Sequence, residues 1–223
     1  MKTMHNIITI DGPSGVGKGT LARKLAQKLN YILLDSGAIY RLAALWLLDN
    51  DVDLDDEKAV VKALSLFDIH FASQDGQTHA YLNNQDVTKR IRQEKVGMLA
   101  SKVAALAKLR EMLLQKQRDF ASIGNGLVAD GRDMGTVVFP QAKHKFFLEA
   151  SSQIRAKRRF DELREKGEAA DYDIILSELE KRDFQDRNRK VAPLVPAEDA
   201  VIVNTDQLSI DEVFITVYKG IKD

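Results

Sequence analysis

The sequence Gly12-Pro-Ser-Gly-Val-Gly-Lys-Gly-Thr20 decides the fold of this chain of 223 residues. It follows the β-branched run Ile7-Ile-Thr-Ile10, which predicts a buried strand. After it, Leu21, Leu25 and Leu29 recur every four residues and predict a helix that packs on a sheet. A strand, a glycine-rich turn and a helix in this order are the context of a phosphate-binding loop, or P-loop.

Each part of this loop suits an anion. The glycines allow consecutive backbone N–H groups to turn toward one anion, and the helix N-terminus adds a partial positive charge. Lys18 supplies a full charge for the outer phosphates of ATP, so we expect it to be catalytic. A glycine-rich turn with a chance lysine is the plain alternative. The residues expected to hold the nucleotide are Gly12, Pro13, Ser14, Gly15, Val16, Gly17, Lys18, Gly19 and Thr20.

One position departs from the usual motif. A serine or threonine normally follows the lysine and binds Mg²⁺ through its hydroxyl, but here that position is Gly19, and Thr20 comes one residue later. Water can complete the shell of Mg²⁺, so the ion is still expected, although the sequence does not identify its ligands. The ending Gly-Lys-Gly-Thr resembles nucleoside monophosphate kinases, whereas shikimate-type kinases and GTPases usually have serine or threonine directly after the lysine.

Strands and helices alternate along most of the chain. Apolar runs at 32–34, 127–129, 145–148 and 200–203 predict four further strands, and residues 40–48 predict a helix. This alternation predicts an α/β fold with a three-layer core, in which helices cover both faces of a five-stranded, mostly parallel sheet.

Two stretches depart from this alternation. Residues 68–91 contain short runs separated by Asp75-Gly76 and by an asparagine pair, and such turns predict antiparallel hairpins in a small β insertion. Loops at the edge of the sheet are the alternative. Residues 151–190 are charged and predicted to be helical, with Ser151 or Ser152 as the cap.

The composition excludes several classes of protein. Lysine plus arginine and aspartate plus glutamate both number 33, and the resulting net charge of zero argues against a nucleic-acid or anionic-membrane binder. The chain has no cysteine, which excludes disulfides and cysteine-metal sites. Its longest uninterrupted apolar run, Leu42 to Leu48, is too short to span a bilayer. A cytoplasmic protein is expected.

A second anion site is predicted where the second strand ends. Ser36 and Gly37 can open another helix N-terminus, and Arg41 lies about one turn inside that helix. Ligands collect at the carboxyl ends of strands in open α/β sheets, so this position suits a phosphate acceptor. A helix cap with a surface arginine is the alternative.

Two further sets of charged residues follow later in the chain. Asp130-Gly-Arg132-Asp133 comes directly after a predicted strand, and its alternative interpretation is a turn with an Asp–Arg pair. In Arg182-Asp-Phe-Gln-Asp186-Arg-Asn-Arg189, three residues share one helix face at i, i+4 and i+7, although charge runs are usually solvated faces.

Together these motifs resemble the bacterial cytidylate kinases, a family of P-loop nucleoside monophosphate kinases. The resemblance rests on GPSGVGKGT, LLDSGAIYR, ADGRDMGTVVFP and RDFQDRNRKVAPLVPA, and it spans residues 7–210. It implies a P-loop NTPase core with the β insertion and a helical lid. The implied parts of this single kinase unit, 1–223, are a core at 1–62, 102–150 and 191–223, an NMP-binding insertion at 63–101 and a lid at 151–190.

The resemblance also implies substrates and roles. ATP and Mg²⁺ are expected as co-substrate and cofactor, CMP or dCMP as acceptor, and a monomer without nucleic-acid or membrane partners. The expected catalytic residues are Lys18, Arg132, Arg155, Arg182 and Arg187. The lid arginines expected at ATP are Arg158 and Arg159, besides Arg155. The expected CMP ligands are Ser36, Arg41, Ser101, Arg110, Arg132, Asp133, Arg182, Asp186 and Arg189.

The reaction that this family performs needs no general base, because a phosphate monoester is largely ionised at neutral pH, with a second pKa near ~6. It needs charge neutralisation and closure against water, so we expect residues 151–190 and 68–91 to move when substrates bind. Two other functions stay open. One is a P-loop kinase for another nucleoside monophosphate or another small acceptor such as shikimate. The other is a nucleotide-binding switch, although the chain lacks the Asn-Lys-x-Asp base reader of GTPases.

Overall fold

Five parallel strands form the larger sheet of the structure, a computed structural model that describes residues 6–74 and 77–222. Its strands are β1 (Ile7–Asp11), β2 (Ile32–Asp35), β6 (Leu127–Gly131), β7 (His144–Glu149) and β8 (Val201–Asn204). They lie in the order β2-β6-β1-β7-β8, and every neighbouring pair is parallel. The predicted five-stranded sheet is therefore confirmed.

The described chain divides into two compact units. The first comprises Met1–Asp35 and Gln117–Asp223, and the second comprises Ser36–Lys116. This division differs from the predicted division into core, insertion and lid. The predicted division names functional parts of the chain, and it stays a prediction.

The first unit contains the larger sheet and most of the helices that carry the motifs. The core cluster packs α1 (Lys18–Leu29) and α8 (Ile210–Lys222) against β1, β6 and β7 through residues such as Ile8, Leu25, Val128, Phe146 and Val217. The predicted leucine face of the first helix is thus its buried face. The helices of this unit are α1 (Lys18–Leu29), α6 (Ser152–Glu165), α7 (Tyr172–Asn188) and α8 (Ile210–Lys222).

Ser151 caps α6, as predicted, because its side chain accepts a hydrogen bond from the backbone N–H of Ile154. Met134–Val138 forms a short π-helix directly after β6, which the sequence did not predict. Phe120–Ser122 forms a 3₁₀ turn.

The second unit contains helices and a small antiparallel sheet. Its strands are β3 (Ile69–Gln74), β4 (Gln77–Leu82) and β5 (Gln85–Asp86), in that order. The predicted β insertion is confirmed. The predicted turn at Asp75-Gly76 lies outside the described residues. The helices are α2 (Ser36–Asp49), α3 (Glu57–Ser65), α4 (Glu94–Val103) and most of α5 (Ala107–Asp119), with a 3₁₀ turn at Arg90–Arg92.

The asparagine pair provides the tight turn of the second hairpin. Asn83 and Asn84 both have left-handed backbone conformations, with φ of 47° and 65°. Asparagine tolerates this conformation better than most residues, and two such residues in succession are typical of two-residue hairpin loops. In residues 6–74 and 77–222, no helix combines the length and the apolar character needed to cross a bilayer.

Candidate active site

The P-loop lies at the carboxyl end of β1, and its glycines are required by its geometry. Gly12, Gly15 and Gly17 have φ values of 147°, 77° and 96°, which residues other than glycine rarely adopt. A Cβ atom on Gly12 would lie 2.3 Å from the carbonyl oxygen of Leu148 on β7. Gly17 is the N-cap of α1 and makes no side-chain cap, so the first N–H groups of the helix remain available to an anion.

Lys18 folds back across this loop. Its side chain is buried, and Nζ donates a hydrogen bond of 2.8 Å to the carbonyl oxygen of Pro13. Burial and the nearby charge of Arg132 lower the pKa of Lys18 to about 7, against the opposing effect of Asp130 and Asp11. A polyphosphate in the loop would favour the charged ammonium, so the electrostatics of the loop suit an anionic ligand.

Two buried aspartates lie beside Lys18. Asp11 accepts hydrogen bonds from the backbone N–H groups of Met134 (2.9 Å) and Gly135 (2.8 Å), which fixes the turn after β6 to the end of β1. Burial raises the pKa of Asp11 to about 6 and outweighs those two bonds. Burial also raises the pKa of Asp130, although the positive charge of Lys18 opposes that effect.

Arginines and carboxylates alternate in a buried network between the turn after β6 and the end of α7. Arg132 Nε donates to Asp186 Oδ2 at 2.9 Å. Arg189 lies 3.6 Å from Asp133 Oδ1 and 3.9 Å from Asp186 Oδ1, and its side chain is only 5% exposed. Burial alone would raise the pKa of Asp186, but the charges of Arg132, Arg189 and Arg182 together hold it below its ordinary value. Four of the predicted substrate-binding residues are thus brought together, and Arg182 lies beside them: Arg132, Asp133, Asp186 and Arg189.

Arg155 has a different environment from the one expected for a lid arginine. It forms a bidentate pair with Asp183 on α7, and it also donates to the carbonyl oxygens of Ser14 (2.8 Å) and Ala150 (3.0 Å). Its side chain is 3% exposed. The guanidinium of Arg155 is therefore joined to the P-loop through the carbonyl group of Ser14, and the predicted catalytic role of Arg155 stays a prediction.

Three further arginines of the predicted lid have surroundings that differ from those of Arg155. Arg158 donates to the backbone oxygen and hydroxyl of Thr205 after β8. Arg159 pairs with Glu162 at 3.1 Å on the surface of α6. Arg187 is exposed on α7. Arg187 follows Asp186 in the chain, but its side chain is exposed, and the predicted roles of these three arginines are untested.

The second unit holds the other predicted CMP ligands. Ser36 is buried at the start of α2. Arg41 Nη1 donates to the carbonyl oxygen of Ile91 at 2.8 Å, which fixes the guanidinium against the 3₁₀ turn. Arg110 is also buried, donates to the carbonyl oxygen of Ala104 at 3.2 Å and lies 5.4 Å above the ring of Tyr40. The fourth of these ligands, Ser101, is half-buried on α4.

Several residues that shape the site were missed by the sequence analysis. Asp183 lies within a quoted motif and Asp11 directly precedes one, but neither received a role. Gly97 on α4 packs closely on Arg41, because a Cβ there would lie 2.7 Å from the guanidinium and the guanidinium would have to shift. An isolated glycine inside a helical pattern is a signal of close packing and could have identified this position.

The site combines a phosphate-binding loop, a buried lysine and a network of arginines and carboxylates after β6. These features define a P-loop phosphotransferase. The model of the cytidylate kinase family matches residues 8–223, and the chain belongs to this family. It is 55% identical to the cytidylate kinase of Pasteurella multocida, over 93% of this chain and 91% of that protein. It is 54% identical to the cytidylate kinase of Vibrio cholerae, over 96% of this chain and 94% of that protein.

Among solved structures, an uncharacterized protein from Eubacterium ventriosum superimposes with a TM-score of 0.51 and 13% identity, over 99% of each chain. At that identity the likeness shows the fold alone.

Proposed function

We propose that the protein transfers a phosphoryl group from Mg·ATP to CMP or dCMP and releases ADP and CDP or dCDP. The observation that carries this proposal is the P-loop with the buried Lys18, in a chain whose relatives are cytidylate kinases along nearly their whole length. A cytoplasmic location and a monomeric state stay predictions from the sequence. No observation favours another acceptor or a regulatory role.

The chemistry that these residues supply is charge neutralisation and alignment. Two polyanions must approach each other, and the transferring group carries charge on its equatorial oxygens. Lys18 supplies one positive charge at the P-loop. Arg132, which is half-buried, and Arg189, whose side chain is buried, supply two more charges, and fixed charges that are shielded from water are more effective than charges in water. A guanidinium suits this task because its planar fork binds two oxygens in a fixed geometry.

The carboxylates present fit a magnesium ion that keeps part of its water shell. Among the described residues, no group of three or more acidic or histidine side chains could hold a metal by itself. Mg²⁺ usually takes one or two carboxylates, with phosphates and waters as the other ligands. Asp130 is a buried carboxylate at the end of β6, and its Oδ2 lies 3.3 Å from a Cβ position on Gly19.

We assign Asp130 to the shell of this ion, directly or through water. When bound, the ion would neutralise charge on the phosphates of ATP. Gly19 has no side chain and so leaves space beside that carboxylate, which accounts for the departure from the usual motif.

Selection of cytosine is assigned in part to Asp133. The 4-amino group of cytosine is a donor that a carboxylate can accept, whereas uracil presents an acceptor at that position. Asp133 is 3% exposed and lies 3.6 Å from Arg189, so its carboxylate is held in place by a neighbouring charge. In the second unit, Ser36 and Arg41 are assigned to the phosphate and sugar of CMP, and Ser101 and Arg110 to its base.

Coupled measurement of ADP release with Mg·ATP tests the proposal, with CMP, dCMP, UMP, AMP and shikimate as acceptors. Fast turnover is expected for the cytidine nucleotides alone. Lys18→Met should lower kcat by about 10²–10³, since removal of one preorganised donor at a developing charge has effects of that size. Faster turnover of UMP, AMP or shikimate than of CMP would refute the assignment of the acceptor.

A further inference from the structure

The guanidinium of Arg155 joins the P-loop to α6 and α7 through four hydrogen bonds. Nη1 donates to the carbonyl oxygen of Ser14 and to Asp183, Nη2 donates to Asp183, and Nε donates to the carbonyl oxygen of Ala150. The side chains of Arg155 and Asp183 are 3% and 14% exposed. To reach a phosphate, this guanidinium would have to break bonds to a buried carboxylate and to two carbonyl groups, each of which would lose its partner.

The bond to Ser14 decides the direction of one peptide group of the loop. In a trans peptide the C=O and N–H groups point in opposite directions. A Ser14 carbonyl that is held toward Arg155 therefore turns the N–H of Gly15 away from Arg155. Gly15 has φ of 77° and no side chain, so its own conformational preference does not prevent this peptide from rotating.

Two helices pack on the P-loop at Gly15. A Cβ on Gly15 would lie 3.5 Å from Cβ of Arg155 on α6 and 3.7 Å from Cδ2 of Leu179 on α7. Both helices therefore pack directly on this turn of the loop, and Asp183 lies one turn of α7 after Leu179.

We propose that Arg155 is a positioning residue which, held by Asp183, keeps the Gly15 N–H turned toward the phosphates of ATP. Arg155 then acts through the Ser14–Gly15 peptide rather than by contact with the transferring phosphoryl group. This inference rests on the proposed function, because it concerns the orientation of the same nucleotide-binding loop.

Asp183→Asn is the first test. The amide keeps the size of the side chain but removes the charge and one acceptor, so Arg155 is no longer held by a bidentate pair. The Kd for Mg·ATP, measured by titration calorimetry, should rise about tenfold, the effect of one charge-assisted hydrogen bond. The KM for ATP should rise in parallel, while kcat at saturating ATP and the KM for CMP change by less than about threefold.

The matched control is Asp161→Asn. Asp161 also pairs with a cation, Lys157 at 2.9 Å, but both side chains are exposed on α6. This variant should bind Mg·ATP with the affinity of the wild type. A control variant that weakened ATP binding as much as Asp183→Asn would overturn the proposal.

Arg155→Lys and the double variant Arg155→Lys/Asp183→Asn complete the test. A lysine can reach Ser14 or Asp183 but cannot reproduce the fork, so the single variant should weaken ATP binding to a similar extent. Because both changes remove the same bridge, their effects on Kd should be clearly less than additive. Melting temperatures identify variants that are misfolded, and Arg155→Lys carries the test if Asp183→Asn does not fold.

A direct phosphate contact by Arg155 gives the opposite pattern. Asp183→Asn would then leave the Kd for ATP unchanged or lower it, and Arg155→Lys would reduce kcat at saturating substrate. That pattern overturns the proposal. Absence of Mg·ATP binding by the wild type would instead refute the proposed function.

Discussion

Replacing Gly12 by alanine should lower the free energy of unfolding by about 3–5 kcal/mol, and the structure gives two separate reasons. The backbone φ of 147° is a conformation that costs an alanine about 1–3 kcal/mol. The added Cβ would also lie 2.3 Å from the carbonyl oxygen of Leu148, whereas ordinary contact begins at about 3.4 Å. To relieve that clash, β1 and β7 must separate by about 1 Å, and the nearby ladder hydrogen bonds contribute about 1 kcal/mol each.

Urea unfolding of the wild type, Gly12→Ala and Gly167→Ala measures the two contributions separately. Gly167 also has a positive φ, of 73°, but nothing lies within 4 Å of a Cβ built there. Gly167→Ala should therefore show the backbone effect alone, about 1–2 kcal/mol. If Gly12→Ala unfolds no more easily than Gly167→Ala, the close approach of the two strands does not explain the glycine.

Two further predictions concern the buried carboxylates. Asp133→Asn should lower the ratio of kcat/KM for CMP to kcat/KM for UMP by about tenfold, because the amide can present a donor to the uracil oxygen. An unchanged ratio in coupled assays would contradict the role of Asp133. Asp186 should stabilise the fold above about pH 4, because Arg132, Arg189 and Arg182 hold its pKa below the ordinary value in spite of burial. This contribution is lost as the pH falls below about 4 toward the folded-state pKa, so the difference in unfolding free energy between wild type and Asp186→Asn should shrink over that range. A constant difference in urea titrations would exclude the linkage.

The parallel strands and the P-loop could be predicted because local sequence determines them. Apolar runs such as Ile7–Ile10 can only be buried, and the glycines at 12, 15 and 17 occupy backbone conformations that favour glycine. The hairpin at Asn83-Asn84 follows from turn chemistry in the same way.

The partners of the charged side chains could not be predicted to the same extent. A long arginine reaches several carboxylates, and only the packing of α6 and α7 decides that Arg155 meets Asp183 while Arg132 meets Asp186. The π-helix at Met134–Val138 was missed for a related reason. Part of its conformation is set by Asp11, 123 residues earlier in the chain, which accepts a hydrogen bond from the Met134 N–H.

The lowered pKa of Lys18 has a consequence for proton balance. Burial and the charge of Arg132 disfavour the ammonium form of Lys18, and a polyphosphate in the loop shifts the equilibrium back toward that form. The contribution of Lys18 to nucleotide binding is therefore linked to proton uptake and becomes weaker as the pH rises. The burial that lowers the pKa of Lys18 therefore makes phosphate binding by the loop dependent on pH.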